Sequence, residues 1–275
     1  MKKVLNSLLL ACATLAAAGC YTNPVTGRKS LVLISPGEEV QLGAQSFQAI
    51  RAKERVSADP AANAREQRIG RRIAEAVGNE LPGAKWEFVV FDSKELNAFA
   101  LPGGKVGVYT GLMQLAENDA ELAIVMGHEI GHVIARHGAE RMSEAAVIAG
   151  IGMMGAAIVD AKTEDPQARQ LFELAYGAGT TLGRVLPHSR GNESEADRMG
   201  AIYAARAGYD PRAAISFWEK MAAKKQAAGA TGTKLDAIFS THPADAQRIA
   251  QLRALMPQVV PIYEKARAAR SAQSD

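Results

Sequence analysis

The stretch His128-Glu129-Ile130-Gly131-His132 constrains this chain more than any other. A spacing of four puts both imidazoles on one face only if the backbone is helical. At 100° per residue they then lie within about 40° of each other, one turn apart. The flanking residues predict that helix independently. Asn118 and Glu121 form a capping-box pair at its start, and Leu122, Ile124, Val125 and Ile130 follow. Gly131 costs such a helix about 1 kcal/mol relative to Ala, so a neighbouring element is expected close against that face.

Two imidazoles one turn apart suit a single zinc ion per chain, and a catalytic zinc takes a third protein ligand besides water. Glu129, rotated by one residue, is placed to approach a zinc-bound water without occupying a ligand position. There it can take the proton and later hand it to a leaving amine. Both cysteines, Cys12 and Cys20, stand close to the N-terminus. This excludes thiolate ligands and a disulfide scaffold from the rest of the chain. The third ligand must then be a histidine or an acid. His137 follows His128 by about two and a half turns of a continuous helix, which predicts the opposite face and a solvated or packed role. Downstream, Glu193-Ser194-Glu195-Ala196-Asp197 opens another helix. Glu193 and Asp197 share a face, with Glu195 some 160–200° away. The economical assignment makes Glu193 the ligand, Asp197 the acceptor of a ligand imidazole N–H, and Glu195 an exposed carboxylate. Spacing alone leaves Asp197 open as the ligand.

The N-terminus reads as an address. Lys2 and Lys3 precede fifteen uncharged residues, 4–18, too few to span a bilayer comfortably but suited to a secretory signal. Ala17-Ala18-Gly19 before Cys20 resembles the bacterial lipoprotein signal, which implies acylation of Cys20 and cleavage before it. Tyr21 in place of Asp implies the periplasmic face of the outer membrane. Losing the two lysines takes the basic count from 32 to 30, against 29 acids. Attachment to a membrane would rest on acyl chains rather than a basic patch. The same balance gives no support for nucleic-acid binding, and 48% hydrophobic with 22% charged residues excludes wholesale disorder.

The expected organisation is a signal peptide over 1–19, a lipidated tether over 20–35, a metallopeptidase domain over 36–256 and a tail over 257–275. Ser35, Pro36 and Glu38 predict a helix start, with the helix running to about Lys53. A second helix carries Ile69, Ile73 and Val77 and ends near Gly78. Residues 86–91 and 105–109 have strand composition, and with residues 97–100 and the turn at 101–104 they predict a small antiparallel sheet. The remainder reads as helical, broken at 177–183, 187–191, 208–211 and 229–233. Residues 145–159 carry no charge and read either as a buried Ala/Gly-rich helix or as a flap over lipid or a groove. The class is α+β, mainly helical, with the H-E-x-x-H motif on the active-site helix.

Together, His128–His132, Glu193-x-x-x-Asp197, Asn97-Ala98-Phe99 and Pro102-Gly103-Gly104 resemble the zinc metallopeptidases of the CAAX-prenyl-protease and HtpX type. Asn23-Pro24-Val25-Thr26-Gly27 is similar to the start of that family's small periplasmic lipoprotein branch. The resemblance implies a gluzincin endopeptidase fold of zincin type and supports Glu193 as ligand. It also implies quality-control proteolysis, with misfolded or stalled envelope proteins as substrates and the outer-membrane assembly machinery as a candidate partner. It further implies that Asn97, Ala98, Phe99 and Ala100 form an edge strand able to pair with an extended peptide. Ser240-Thr241-His242-Pro243 and Arg248 recur near the active site in that family. His242 then reads as a gate on the open zinc position or as an oxyanion donor with Arg248 as its helper, and otherwise as a helix cap. His188 reads as packing. No stretch of eighteen apolar residues follows the signal, and about twenty residues after the last expected helix leave no room for a tetratricopeptide domain. The reading that competes with a protease is a chaperone-like binding module with a vestigial zinc site; a second zinc hydrolase, cutting peptidoglycan peptides, is the third.

Overall fold

A computed structural model describes residues 20–150, 189–228, 242 and 246–274. The signal segment, His188 and most of the uncharged stretch 145–159 lie outside the described residues, as do the breaks at 177–183 and 229–233. A short antiparallel hairpin, β1 (Cys20–Thr22) and β2 (Lys29–Leu31), opens the chain. Helices α1 (Pro36–Lys53) and α2 (Pro60–Val77) follow. α1 starts on the expected capping box, with Ser35 Oγ accepting from the Glu38 amide and Glu38 accepting from the Ser35 amide. Gly78 caps α2.

Strands β3 (Glu87–Phe91), β4 (Ala98–Leu101) and β5 (Lys105–Tyr109) make one sheet in the order β3-β5-β4. β4 and β5 are antiparallel across the 102–104 turn, where Gly103 and Gly104 have φ of 86° and 81°. β3 runs parallel to β5, so the sheet is mixed rather than antiparallel. Composition identifies a strand but not its direction, and here the direction follows from β4 doubling back between the two parallel strands in sequence. Phe99 turns into an aromatic cluster with Phe47, Phe91 and Tyr109.

After a short helix α3 (Thr110–Leu115) comes α4 (Asp119–Ile134), the helix of the histidine motif. Asn118 Oδ1 caps it by accepting from the Glu121 amide at 2.9 Å. The reciprocal half of the box is redirected: Glu121 accepts from the Glu117 amide and from Lys220, 2.9 and 2.6 Å away. Every residue of α4 from Glu121 to Ile134 is buried, so it is the central element of the fold. α5 (His137–Gly150), α6 (Arg190–Arg206), α7 (Ala213–Ala228) and α8 (Ala246–Ser274) complete the described chain.

Among the described residues α4 makes its most extensive contact with α6, and glycines on both helices bring the two backbones close. A Cβ on Gly200 would sit 2.7 Å from the His128 amide nitrogen, and one on Gly127 would sit 2.9 Å from the Gly200 carbonyl oxygen. Gly131 meets Ala196 and Met199 at 3.2 Å, the close neighbour its presence predicts. The backbones therefore approach closely enough for side chains on both helices to meet at one point.

Two boundaries differ from expectation. Residues 20–35 lie on the domain rather than free of it: Asn23 is buried, Tyr21 donates to the Ile134 carbonyl at 2.5 Å, and Leu33 N donates to Ser143. The expected tail continues α8 through Pro257 and Pro261, with Leu255 and Val259 buried against α6. Among the described residues no helix is long and apolar enough to cross a membrane.

Candidate metal centre

α4 delivers His128 and His132 with their Nε2 atoms 3.0 Å apart. α6 delivers Glu193, whose Oε2 lies 3.5 Å from His128 Nε2 and whose Oε1 lies 3.4 Å from His132 Nε2. His242 adds Nδ1, at 3.2 Å from His128 Nε2 and 3.0 Å from Glu193 Oε1. One ligating atom from each of these four buried residues lies within 4.8 Å of the others. Two imidazole nitrogens and a carboxylate turned toward each other in a dry interior call for a cation between them. The donor set is nitrogen and oxygen without thiolate, which fits zinc.

The other ring nitrogens of the motif histidines are also engaged. His128 Nδ1 lies 2.9 Å from Asp197 Oδ1. Arg248 holds Asp197 in a fork, Nε to Oδ2 at 2.6 Å and Nη2 to Oδ1 at 2.7 Å, while its Nη1 reaches Glu193 Oε2 at 2.8 Å. The guanidinium rests on the Trp218 ring, 3.5 Å from its centre. Arg248 is thus tied to the acids behind the histidines, and it shares the Glu193 carboxylate with His242. Asp197 stands outside the group of four, one imidazole away.

The electrostatics follow this wiring. Burial alone would raise the Glu193 carboxyl, but His242 and Arg248 hold it well below the usual carboxylate range. Burial likewise opposes ionisation of Asp197, and Arg248 and His128 bring it down. Burial drives His132 well below the ordinary imidazole range, leaving it neutral as a ligand must be. Glu129 is the exception among the acids: burial raises it despite His242 and His128 nearby. Its Oε1 stands 3.6 Å from His242 Nε2, so His242 is wedged between Glu193 and Glu129.

Two residues differ from what the sequence predicts. His137 is not on the far face of the motif helix. Arg136, with φ of 56°, ends α4, and the chain turns so that His137 Nδ1 comes 2.8 Å from His132 Nδ1. Glu195 is not an exposed carboxylate; it is 8% exposed and lies 2.9 Å from His137 Nε2. Burial would raise it, but His137, Thr26 and Arg28 hold it down to about 2. The opposite-face expectation for His137 assumed an unbroken helix, and a non-glycine residue with positive φ leaves no mark in the sequence. Ala98 to Ala100 lie in β4 and Asn97 directly precedes it, on the outer position of the sheet and buried against α4.

A sequence profile described as Peptidase family M48 matches residues 60–256. Among curated proteins, the mitochondrial metalloendopeptidase OMA1 of Schizosaccharomyces pombe is 35% identical over 191 residues, covering 70% of this chain and 52% of that protein. OMA1 of Saccharomyces cerevisiae is 28% identical over 254 residues, covering 88% and 70%. The beta-barrel assembly-enhancing protease of Escherichia coli K12 is 29% identical over 272 residues, covering 95% and 54%. The chain spans about half the length of the first and third of these relatives.

Proposed function

The chain belongs to peptidase family M48, and from that premise we propose a zinc-dependent endopeptidase, held at the cell envelope by a lipid on Cys20, that degrades misfolded or stalled envelope proteins. The observation that carries the peptidase reading is the convergence of His128, His132 and Glu193 on one point, with Glu129 on the same helix turn as the histidines. In this reading those three hold the ion. Bound there, zinc supplies a Lewis acid and lowers the pKa of a coordinated water toward 7. Glu129 receives the proton at its carboxylate and returns it to the leaving amine; its raised affinity for protons suits both halves of that task. Asp197 fixes the ring of His128, and Arg248 fixes Asp197 and Glu193, so both are positioning residues. The outer edge of β4 would align an extended peptide by main-chain pairing.

His242 is read as the gate. Its ring fills the space between the acid ligand and the base, where a reacting group would have to enter. Placement at the periplasmic face of the outer membrane, with assembly machinery as a partner, is supported by the likeness to the beta-barrel assembly-enhancing protease and by the signal-like N-terminus. A chaperone with a vestigial site is disfavoured by the intact Glu129, for which a scaffold has no use.

Cleavage of casein by the purified mature chain tests the reading. We expect cleavage that a chelator abolishes and added zinc restores. Chelator-resistant cleavage would contradict it, as would a zinc-loaded chain that cuts nothing. Fractionation tests the anchor: Cys20→Ser should move the protein from membranes to the soluble periplasm, and continued sedimentation would refute lipid attachment.

A further inference from the structure

A second line of buried polar groups runs from His132 to the N-terminal segment. His132 Nδ1, the nitrogen turned away from the ligand cluster, meets His137 Nδ1 at 2.8 Å, and His137 Nε2 meets Glu195 Oε2 at 2.9 Å. Glu195 is in turn held by residues 23–28. Asn23 Nδ2 donates to Oε1 at 2.8 Å, Thr26 Oγ1 donates to the same oxygen, and Arg28 Nε donates to Oε2. The two remaining nitrogens of Arg28 clamp Glu140 at 2.7 Å each. His137 is fully buried.

The line has one polarity. A carboxylate gripped by arginine only accepts, so His137 Nε2 carries a proton and donates to Glu195. A neutral imidazole has one such proton, which leaves His137 Nδ1 as an acceptor. His132 Nδ1 must then be the donor, and its lone pair is confined to Nε2, the atom that faces His128 and Glu193. The two motif histidines are thus supported differently: His128 by a carboxylate directly, His132 by a carboxylate through an interposed imidazole. α6 supplies both acids from opposite faces, Asp197 for one and Glu195 for the other.

We propose that His137 and Glu195 are positioning residues that fix the tautomer and ring orientation of His132, and that residues 23–28 form the outer wall of the metal site by holding Glu195. The inference rests on the zinc reading above. Its consequence is that metal affinity depends on the segment next to Cys20 being docked, not only on His128, His132 and Glu193.

The test is zinc affinity of the full mature chain, by competition with a chromophoric chelator, beside the thermal midpoint of the metal-free protein. Outer partners of metal ligands typically contribute 10–100-fold in affinity. His137→Leu should weaken zinc by about that factor, and Arg28→Gln should weaken it in the same direction. His137→Asn places an amide oxygen near the lost Nδ1 and should recover most of the affinity. The cobalt-substituted chain should show altered d–d bands in His137→Leu and near-native ones in His137→Asn. A purely structural role would lower the metal-free midpoint while leaving zinc affinity and cobalt bands unchanged, and that result overturns the proposal. If His137→Leu does not fold, Arg28→Gln and Glu195→Gln decide: affinities within about twofold of wild type would overturn it, since the expected losses are several times larger. A wild-type chain that takes up no zinc would overturn the metal reading itself, which separates the two failures.

Discussion

Asp197 Oδ1 sits 2.9 Å from His128 Nδ1, and the same carboxylate is gripped at 2.6 and 2.7 Å by Arg248. One buried arginine thereby governs a candidate ligand from α4 through an acid from α6, and touches the acid ligand Glu193 as well. Zinc affinity should therefore fall in a fixed order. Glu193→Gln removes a charged ligand and should lose zinc far more than Glu129→Gln, which removes none. Asp197→Asn should cost on the order of 10–100-fold in affinity. Metal analysis of the three purified variants gives the answer. Full zinc in Glu193→Gln with none in Asp197→Asn would reverse the assignment.

For His242, the gate role and the oxyanion role have opposite signatures. Its ring occupies the gap between Glu193 and Glu129, so His242→Ala should raise basal proteolysis of casein. A fall of about 10²–10³-fold at unchanged zinc content would instead identify an oxyanion donor. Activity within twofold of wild type would dismiss both roles.

Glu66 on α2 is 1% exposed, and burial pushes its carboxyl from 4.5 up to about 8, opposed only by the Val89 backbone. The folded state therefore holds this proton more tightly than the unfolded chain does. The stability it provides is fully present below about pH 4.5 and is lost as pH rises toward 8. Glu66→Gln should leave the melting temperature near pH 5 almost unchanged and raise it at pH 8. Each kcal/mol recovered is worth about 2–4 °C in a chain of this size. Thermal melts of both proteins across that range check this, and parallel pH curves would contradict it.

Much of the site was legible because the relevant signals are local. Ser35 and Asn118 announce helix starts by their side-chain chemistry, four-residue spacing forces His128 and His132 onto one face, and Glu193 and Asp197 share a face by the same arithmetic. Gly131 showed that something packs closely there. What escaped was set by tertiary structure. The mixed sheet depends on how β4 doubles back, which alternating valines do not encode. The position of His137 depends on a positive φ at Arg136, and the burial of Glu195 on a segment from the far end of the chain docking against it. Asn23 and Arg28 read as tether residues because their partners are invisible to any local pattern.

Glu129 is expected to act as the base of a zinc site that His128, His132 and Glu193 build without it. The most direct measurement takes zinc content and casein cleavage on the same preparation of Glu129→Gln. We expect one zinc per chain, as in wild type, with cleavage reduced by at least about 10²-fold, the lower end for loss of a general base. Cleavage at the wild-type rate by a zinc-loaded Glu129→Gln chain would contradict it.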